Sequence, residues 1–438
     1  MEHARMVDDA RATIALLARR AGWGVATGEL DAALALGVDA TVDRLVDPDG
    51  NGIAPAPDPW AGLDLTPPRP GPNASADAKK QAGQTERQQS DAAINAWLDH
   101  LTSTPRPLED WMVWFWHGHF VSGLDKVKTP LLMVQQLRTF RALAFAPFAQ
   151  LVKAATIDPA MLLYLDGESS TGRHPNENYG RELLELFTLG IGNYTEDDVQ
   201  AGARALTGWA IDRKTGRSKF LPAGHDDNPS RYLGVDGVHD VDGVVAAVTQ
   251  HPACAPFVSG KLARAILGPD VDAGLLRDLA SGFAASGLDV RALMRSILEA
   301  AVQGRSVPMV VAPVPWLVAA QRATRGTIDP RARLARLRAA GQVPMMPPNV
   351  AGWPGGAAWF GASTVVARFG MASSIAASTP AGSALLVSAS SPDPSALADQ
   401  LGRPEGFGPA TRTALGTVRN DPHAALALAL ASPELAVA

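Results

Sequence analysis

Residues His174–Trp209 read HPNENYGRELLELFTLGIGNYTEDDVQAGARALTGW. At roughly 100° per residue, Tyr179, Leu183, Leu186 and Phe187 share one face, and Glu177, Asn178, Arg181, Glu182 and Glu185 share the other. That period predicts an amphipathic helix over 177–189. Pro175 suits its first turn, Asn176 or Asn178 its cap, and Gly190 its stop. Thr195-Glu-Asp-Asp198 has capping-box spacing, with Asp in place of the usual Glu, and opens a second helix running to Trp209.

The same helical habit spreads outward in both directions. ARATIALLARRAGWG stops at Gly22, a new start follows at Thr27, and DATVDRLVDPDGNG closes a third helix with turn residues. After Pro107, LEDWMVWFWHGHFVSG places Trp111, Trp114, Phe115, Trp116 and Phe120 on every side, the mark of a buried helix. Further helices are expected from TPLLMVQQLRTFRALAFAPFAQLVKAATIDPAMLLYLD, broken at Pro147 and Pro159, and from the Gly-stopped periods of 260–303. SRYLGV and GPDVDAGL are too short to found a sheet. The expected fold is all-α, a multi-helix orthogonal bundle with long irregular loops, as one domain over 1–438. Residues 53–90, rich in Pro, Gly, Asn, Gln and Lys, read as a flexible insertion, and 379–400 as a Ser/Pro/Ala-rich connection.

Composition excludes several functions. A net charge of −5 over 438 residues gives no field for nucleic acid, and no Lys/Arg block supplies one. The one cysteine, Cys254, rules out an internal disulfide or a Cys-rich cluster and reads as a buried, inert thiol. No stretch has the length of a signal peptide or membrane span, so a cytoplasmic protein is expected. There is no G-x-S-x-G, P-loop, H-E-x-x-H or dinucleotide fingerprint, and GVDGVHDVDG lacks the closing Glu of a calcium loop.

The polar face of 177–185 supports two readings. In one, Arg181 is clamped between Glu177 and Glu185, and the cluster only anchors helices. In the other, Glu177, Glu182 and Glu185 are oxygen ligands of a divalent metal (Fe, Mn or Zn), with His117 and His119 as nitrogen donors. The Glu-x-x-His signature is absent. On a continuous helix the two histidines point about 200° apart, so they converge only if Gly118 breaks it. His174 or His225, the latter beside Asp226 and Asp227, would carry protons, and Arg181 would position an anionic group. His251 reads as a cap, and His3, His100, His239 and His423 as surface residues.

Together these segments resemble the DUF1800 proteins, a large bacterial family. The resemblance rests on LLARRAGWG, PLEDWMVWFWHGHF, DPAMLLYLD, NEN-x-x-REL-x-EL, HDD, QHPACAPFVSGKL and PPNVAGWPGG followed by Trp359, and covers most of the chain. The positions matching its motifs are Asn176, Glu177, Asn178, Arg181, Glu182, Glu185, His117, His119, His225 and Asp226. Members are often exported and paired with alkaline-phosphatase- or sulfatase-like proteins, so the resemblance implies such a partner, but it names no reaction. Two functions are therefore expected. The first is a divalent-metal-dependent hydrolytic or oxidative enzyme acting on an unknown small molecule. The alternative is a non-catalytic binding or assembly module, its polar cluster structural and its loop around Trp353 and Trp359 presented to a partner.

Overall fold

The structure is a computed structural model describing residues 2–71, 73–212 and 215–438, with side chains described from residue 8. Twenty-three α-helices account for most of the described residues. The only sheets among those residues are two antiparallel hairpins, β1 (Trp209–Asp212) with β2 (Arg217–Phe220) and β3 (Ser230–Tyr232) with β4 (Val235–Val238). The all-α expectation holds. SRYLGV does form a strand, but the β3–β4 register shifts between Ser230 and Tyr232 and pairing goes no further.

One hydrophobic cluster runs from Leu17 to Leu430. At its centre lies the Trp-rich helix Pro107–His119, started by Pro107 and with Glu109 and Asp110 in its first turn. Trp116 is fully buried, its indole N–H donating to the Ala144 carbonyl at 3.1 Å. Phe120 and Phe148 pack against it, Phe187 packs against Phe120, and all three are fully buried. Each such side chain stabilises the fold by about 1.5–3 kcal/mol.

Two segments differ from expectation. Within 53–90, residues 76 onward belong to one long helix, Ala76–Leu101, capped by Ser75. Its first half is indeed exposed, but Ala, Lys, Gln, Glu and Arg are good helix formers even where apolar residues are few. Ahead of it, Trp60 is buried against Trp97 and donates to the Ala93 carbonyl, so the Pro-rich stretch is docked, not a free insertion. Likewise 379–400 contains two short helices, Ala384–Ala389 and Ser395–Gln400, that bury Leu385, Leu386 and Leu397. No helix among the described residues is long and apolar enough to cross a membrane.

Candidate functional site: an aromatic and cationic cleft

The Trp-rich helix is unbroken through Gly118, so its two histidines stay on different sides. His117 Nε2 accepts from the Met345 amide at 3.0 Å, which leaves the proton on Nδ1, where it has no partner among the described residues. Burial among Trp97, Trp114 and Trp353 pushes its pKa down to about 3. His119 has the opposite tautomer. Its Nε2–H donates to the Phe187 carbonyl at 2.8 Å, and its Nδ1 lone pair is unpartnered. Burial first, then the Lys261 charge, hold His119 neutral, with its pKa well below the usual value.

Phe187 sits in an unusual turn. The NEN helix is α-helical only over Glu177–Glu182 and then widens to a π-helix over Leu183–Thr188. Beyond it, the Leu189 and Gly190 amides both return to the Leu184 carbonyl, so no backbone amide among the described residues reaches the carbonyls of Leu186 and Phe187. Lys261 takes the first, with Nζ at 3.2 Å, and His119 takes the second. Cationic and N–H donors are what a helix C-terminus needs. The π turn therefore ties the NEN helix to the Trp-rich helix and to the lysine helix, Cys254–Leu267.

On the other side of His119 and Lys261 opens a cleft of about 430 Å³. The N-terminal helix, Glu2–Ala21, contributes Arg19 and Arg20, with Trp23 just beyond it. Trp111, Trp114 and Phe115 come from the Trp-rich helix, and Lys261 and Arg264 from the lysine helix. The PPNVAGWPGG loop closes the cleft with Trp353 and Trp359. Trp353 stacks on Trp114 with ring centroids 5.3 Å apart and planes at 14°. Trp359 is buried.

Every charged residue lining the cleft is cationic. Arg20 is held by the main-chain oxygens of Ile266, Val307 and Ala438, and Arg19 by the Gly402 carbonyl and Glu405. Burial lowers both guanidinium pKa values to about 10. Arg264 is exposed and has no carboxylate partner among the described residues. Four lining residues also carry polar atoms with no partner among the described residues: Arg19 Nε, Arg20 Nε, His119 Nδ1 and the indole N–H of Trp353. A larger groove, about 680 Å³ beside Trp60 and Arg138, has charges of both signs and no comparable convergence.

The profile of the family described as "Protein of unknown function (DUF1800)" matches residues 16–437. The chain belongs to the DUF1800 family. Comparisons with curated proteins and with solved structures give no match.

The metal ligands expected of this DUF1800 chain do not come together. Among the described residues neither His117 nor His119 bonds to Glu177, Glu182 or Glu185; the Nε2 atoms instead meet backbone on opposite sides of an intact helix. Among the described residues no group of three or more His, Cys, Asp or Glu side chains is placed to hold a metal. Arg181 is bidentate to Glu196, at 2.6 and 2.9 Å, with Glu177 at 3.6 Å. Glu185 instead accepts from the Tyr194 hydroxyl at 2.8 Å. Half-burial, then Glu185, raises the pKa of Glu182.

His174 is exposed, in a turn closed by Thr171. His225 Nδ1 lies 3.0 Å from the Thr207 carbonyl and its Nε2 4.0 Å from Asp227, and Asp226 caps its own turn through Asn228. His174, His225 and Arg181 do not line the cleft. His100, read as a surface residue, is buried against Asp110 at 2.8 Å. His3 lies outside the described side chains. Burial pushes the Cys254 thiol up to about 12, in keeping with an inert residue. Arg19, Arg20, Lys261 and Arg264 were missed. Their one sequence signal is that Lys261 and Arg264, at i and i+3, are the only charges of an otherwise apolar helix and share one sign.

The loop meets the Trp-rich helix at Gly352. Its φ is +83°, and a Cβ there would lie 2.9 Å from the Gly118 carbonyl. Gly352→Ala is expected to cost about 1–2 kcal/mol of stability and to loosen the Trp353 stack. Chemical denaturation and near-ultraviolet circular dichroism read the two effects. A variant indistinguishable in both would show that loop and helix are not in close contact.

Proposed function

We propose that this protein binds a small anionic molecule with a flat or ring-bearing body in the cleft between the Trp-rich helix, the lysine helix and the PPNVAGWPGG loop. One observation carries the reading: a chain of net charge −5 lines this cleft with cations alone, beside five of its ten tryptophans. The indoles offer stacking faces, and Arg264 offers an uncommitted guanidinium suited to a carboxylate or phosphate-like group. The reading is that of a binding module. In it, the polar side chains of the NEN helix hold helices together: Arg181 pairs with Glu196 across the turn, and Glu185 holds Tyr194.

Titration with 4-nitrobenzoate, which quenches indole fluorescence, tests it. Saturable quenching is expected, with neutral 4-nitrobenzamide at least about tenfold weaker, the order of one charge-assisted hydrogen bond. Arg264→Ala should cost about five- to tenfold in affinity while leaving the fold intact, since the side chain is exposed. Equal, non-saturating quenching by both compounds would end the proposal.

A further inference from the structure

Lys261 does not behave as an ion-pair partner. Its Nζ has a single hydrogen bond, to the Leu186 carbonyl, and no carboxylate within salt-bridge distance among the described residues. Phe257, one turn earlier, sits 5.3 Å beneath it, and aromatic side chains of the Trp-rich helix line the same cleft. An ammonium so placed is half-buried, with one acceptor, the Leu186 carbonyl, for its three N–H donors among the described residues. Arginine stays charged in such surroundings, but an alkylamine gives up its proton. The cleft therefore holds guanidinium groups for charge and one amine for something else.

We propose that Lys261 is a nucleophilic amine that captures the carbonyl group of an anionic, ring-bearing aldehyde or ketone bound in the cleft, forming an imine. The proposal rests on the binding reading above and assigns its ligand a reactive group. The neutral nitrogen bonds to the carbonyl carbon as the C=O pair moves to oxygen, and a proton passes from nitrogen to that oxygen. The carbinolamine then loses its hydroxyl, with the remaining amine proton, as one water molecule. The product is a C=N bond, with no oxidant or reductant consumed. Burial pushes the Lys261 amine down to about 8, so a useful fraction is free base near neutrality.

The full chain is incubated with 4-formylbenzoate and sodium cyanoborohydride, which reduces the imine to a stable amine, and is then analysed by intact mass and peptide mapping. One adduct per chain is expected, at Lys261. It should form at least about tenfold faster than at exposed lysines such as Lys79, be blocked by 4-nitrobenzoate, and rise in rate with a midpoint near pH 8. Lys261→Arg keeps a donor for Leu186 but should lose the adduct. Lys261→Met, with its circular dichroism compared to wild type, covers the case in which arginine disturbs the turn. Adducts spread evenly over surface lysines, or persisting in Lys261→Arg, overturn the proposal. Saturable nitrobenzoate binding without an adduct at Lys261 overturns the imine alone, whereas failure of both removes the binding reading as well.

Discussion

Asp110→Ala is expected to remove about 3 kcal/mol of folding stability, seen as a lower denaturation midpoint with an unchanged slope. Asp110 is completely buried in the first turn of the Trp-rich helix. One carboxylate oxygen accepts from His100 at 2.8 Å and from the Thr104 hydroxyl at 2.5 Å, and the other accepts from Arg141 at 2.5 Å. Burial alone would raise the pKa of this carboxyl, but His100, Arg141 and Thr104 outweigh it and hold the group below its usual value. Its stabilising contribution is therefore complete above the ordinary carboxylate range and is lost as pH falls through the lowered folded value. Truncation strands two donors and a partly buried guanidinium 3.2 Å from the imidazole. Asp110→Asn keeps the shape and removes the charge, so it should fall between the alanine variant and wild type. A loss below about 1 kcal/mol for alanine would mean that water already satisfies Arg141 and His100. The functional consequence follows from position, because Trp111 and Trp114 leave the same helix for the cleft.

What could be read from the sequence was local. The 3.6-residue period identified the helices, Asn176 caps the NEN helix, and Thr195 and Asp198 form the reciprocal capping box their spacing implied. The period also separated His117 from His119, and the helix runs on through Gly118, so the condition for their convergence is not met. The glycine this contact requires is Gly352, whose Cβ would lie 2.9 Å from the Gly118 carbonyl, whereas a Cβ at Gly118 itself would meet nothing within 4 Å. The π turn was not legible, because the groups that accept its widened end, His119 and Lys261, lie 68 and 75 residues away. His100 was misplaced for a similar reason: its burial depends on Asp110, which only the fold brings back against it. The cleft draws on five segments distant in sequence, and no one of them has a motif that announces a ligand. A Pro-rich stretch such as 53–71 looks unattached until Trp60 is seen under Trp97.

Acidification provides the second large effect, and Asp158→Asn should make it steeper. His117 and His119 are neutral in the fold and protonate near pH 6.5 when unfolded. Between about pH 6.5 and 4 the unfolded chain therefore binds up to two protons that the folded chain refuses, and stability falls as pH falls, by about 1.4 kcal/mol per pH unit for each. Asp158 opposes this. Burial raises its folded pKa from 3.8 to about 7, against the hydrogen bonds from the Met161 amide and Gln136. Over the same window the folded chain keeps a proton that the unfolded chain releases, so this group gains stability on acidification and loses it as pH rises through the window. Asparagine can still accept from Gln136 and Met161 but cannot titrate. The opposing proton disappears, and the slope of stability against pH should rise by about one proton, or about 1.4 kcal/mol per unit, between pH 4 and 6.5. Glu109 and Glu182, also raised, are common to both proteins and cancel in the comparison. Urea titrations across that range give the two slopes directly. Parallel lines for wild type and Asp158→Asn would mean that Asp158 is ionised in the fold. A steeper line would leave the buried imidazoles as the source of acid lability, with His119 neutral at the wall of the cleft.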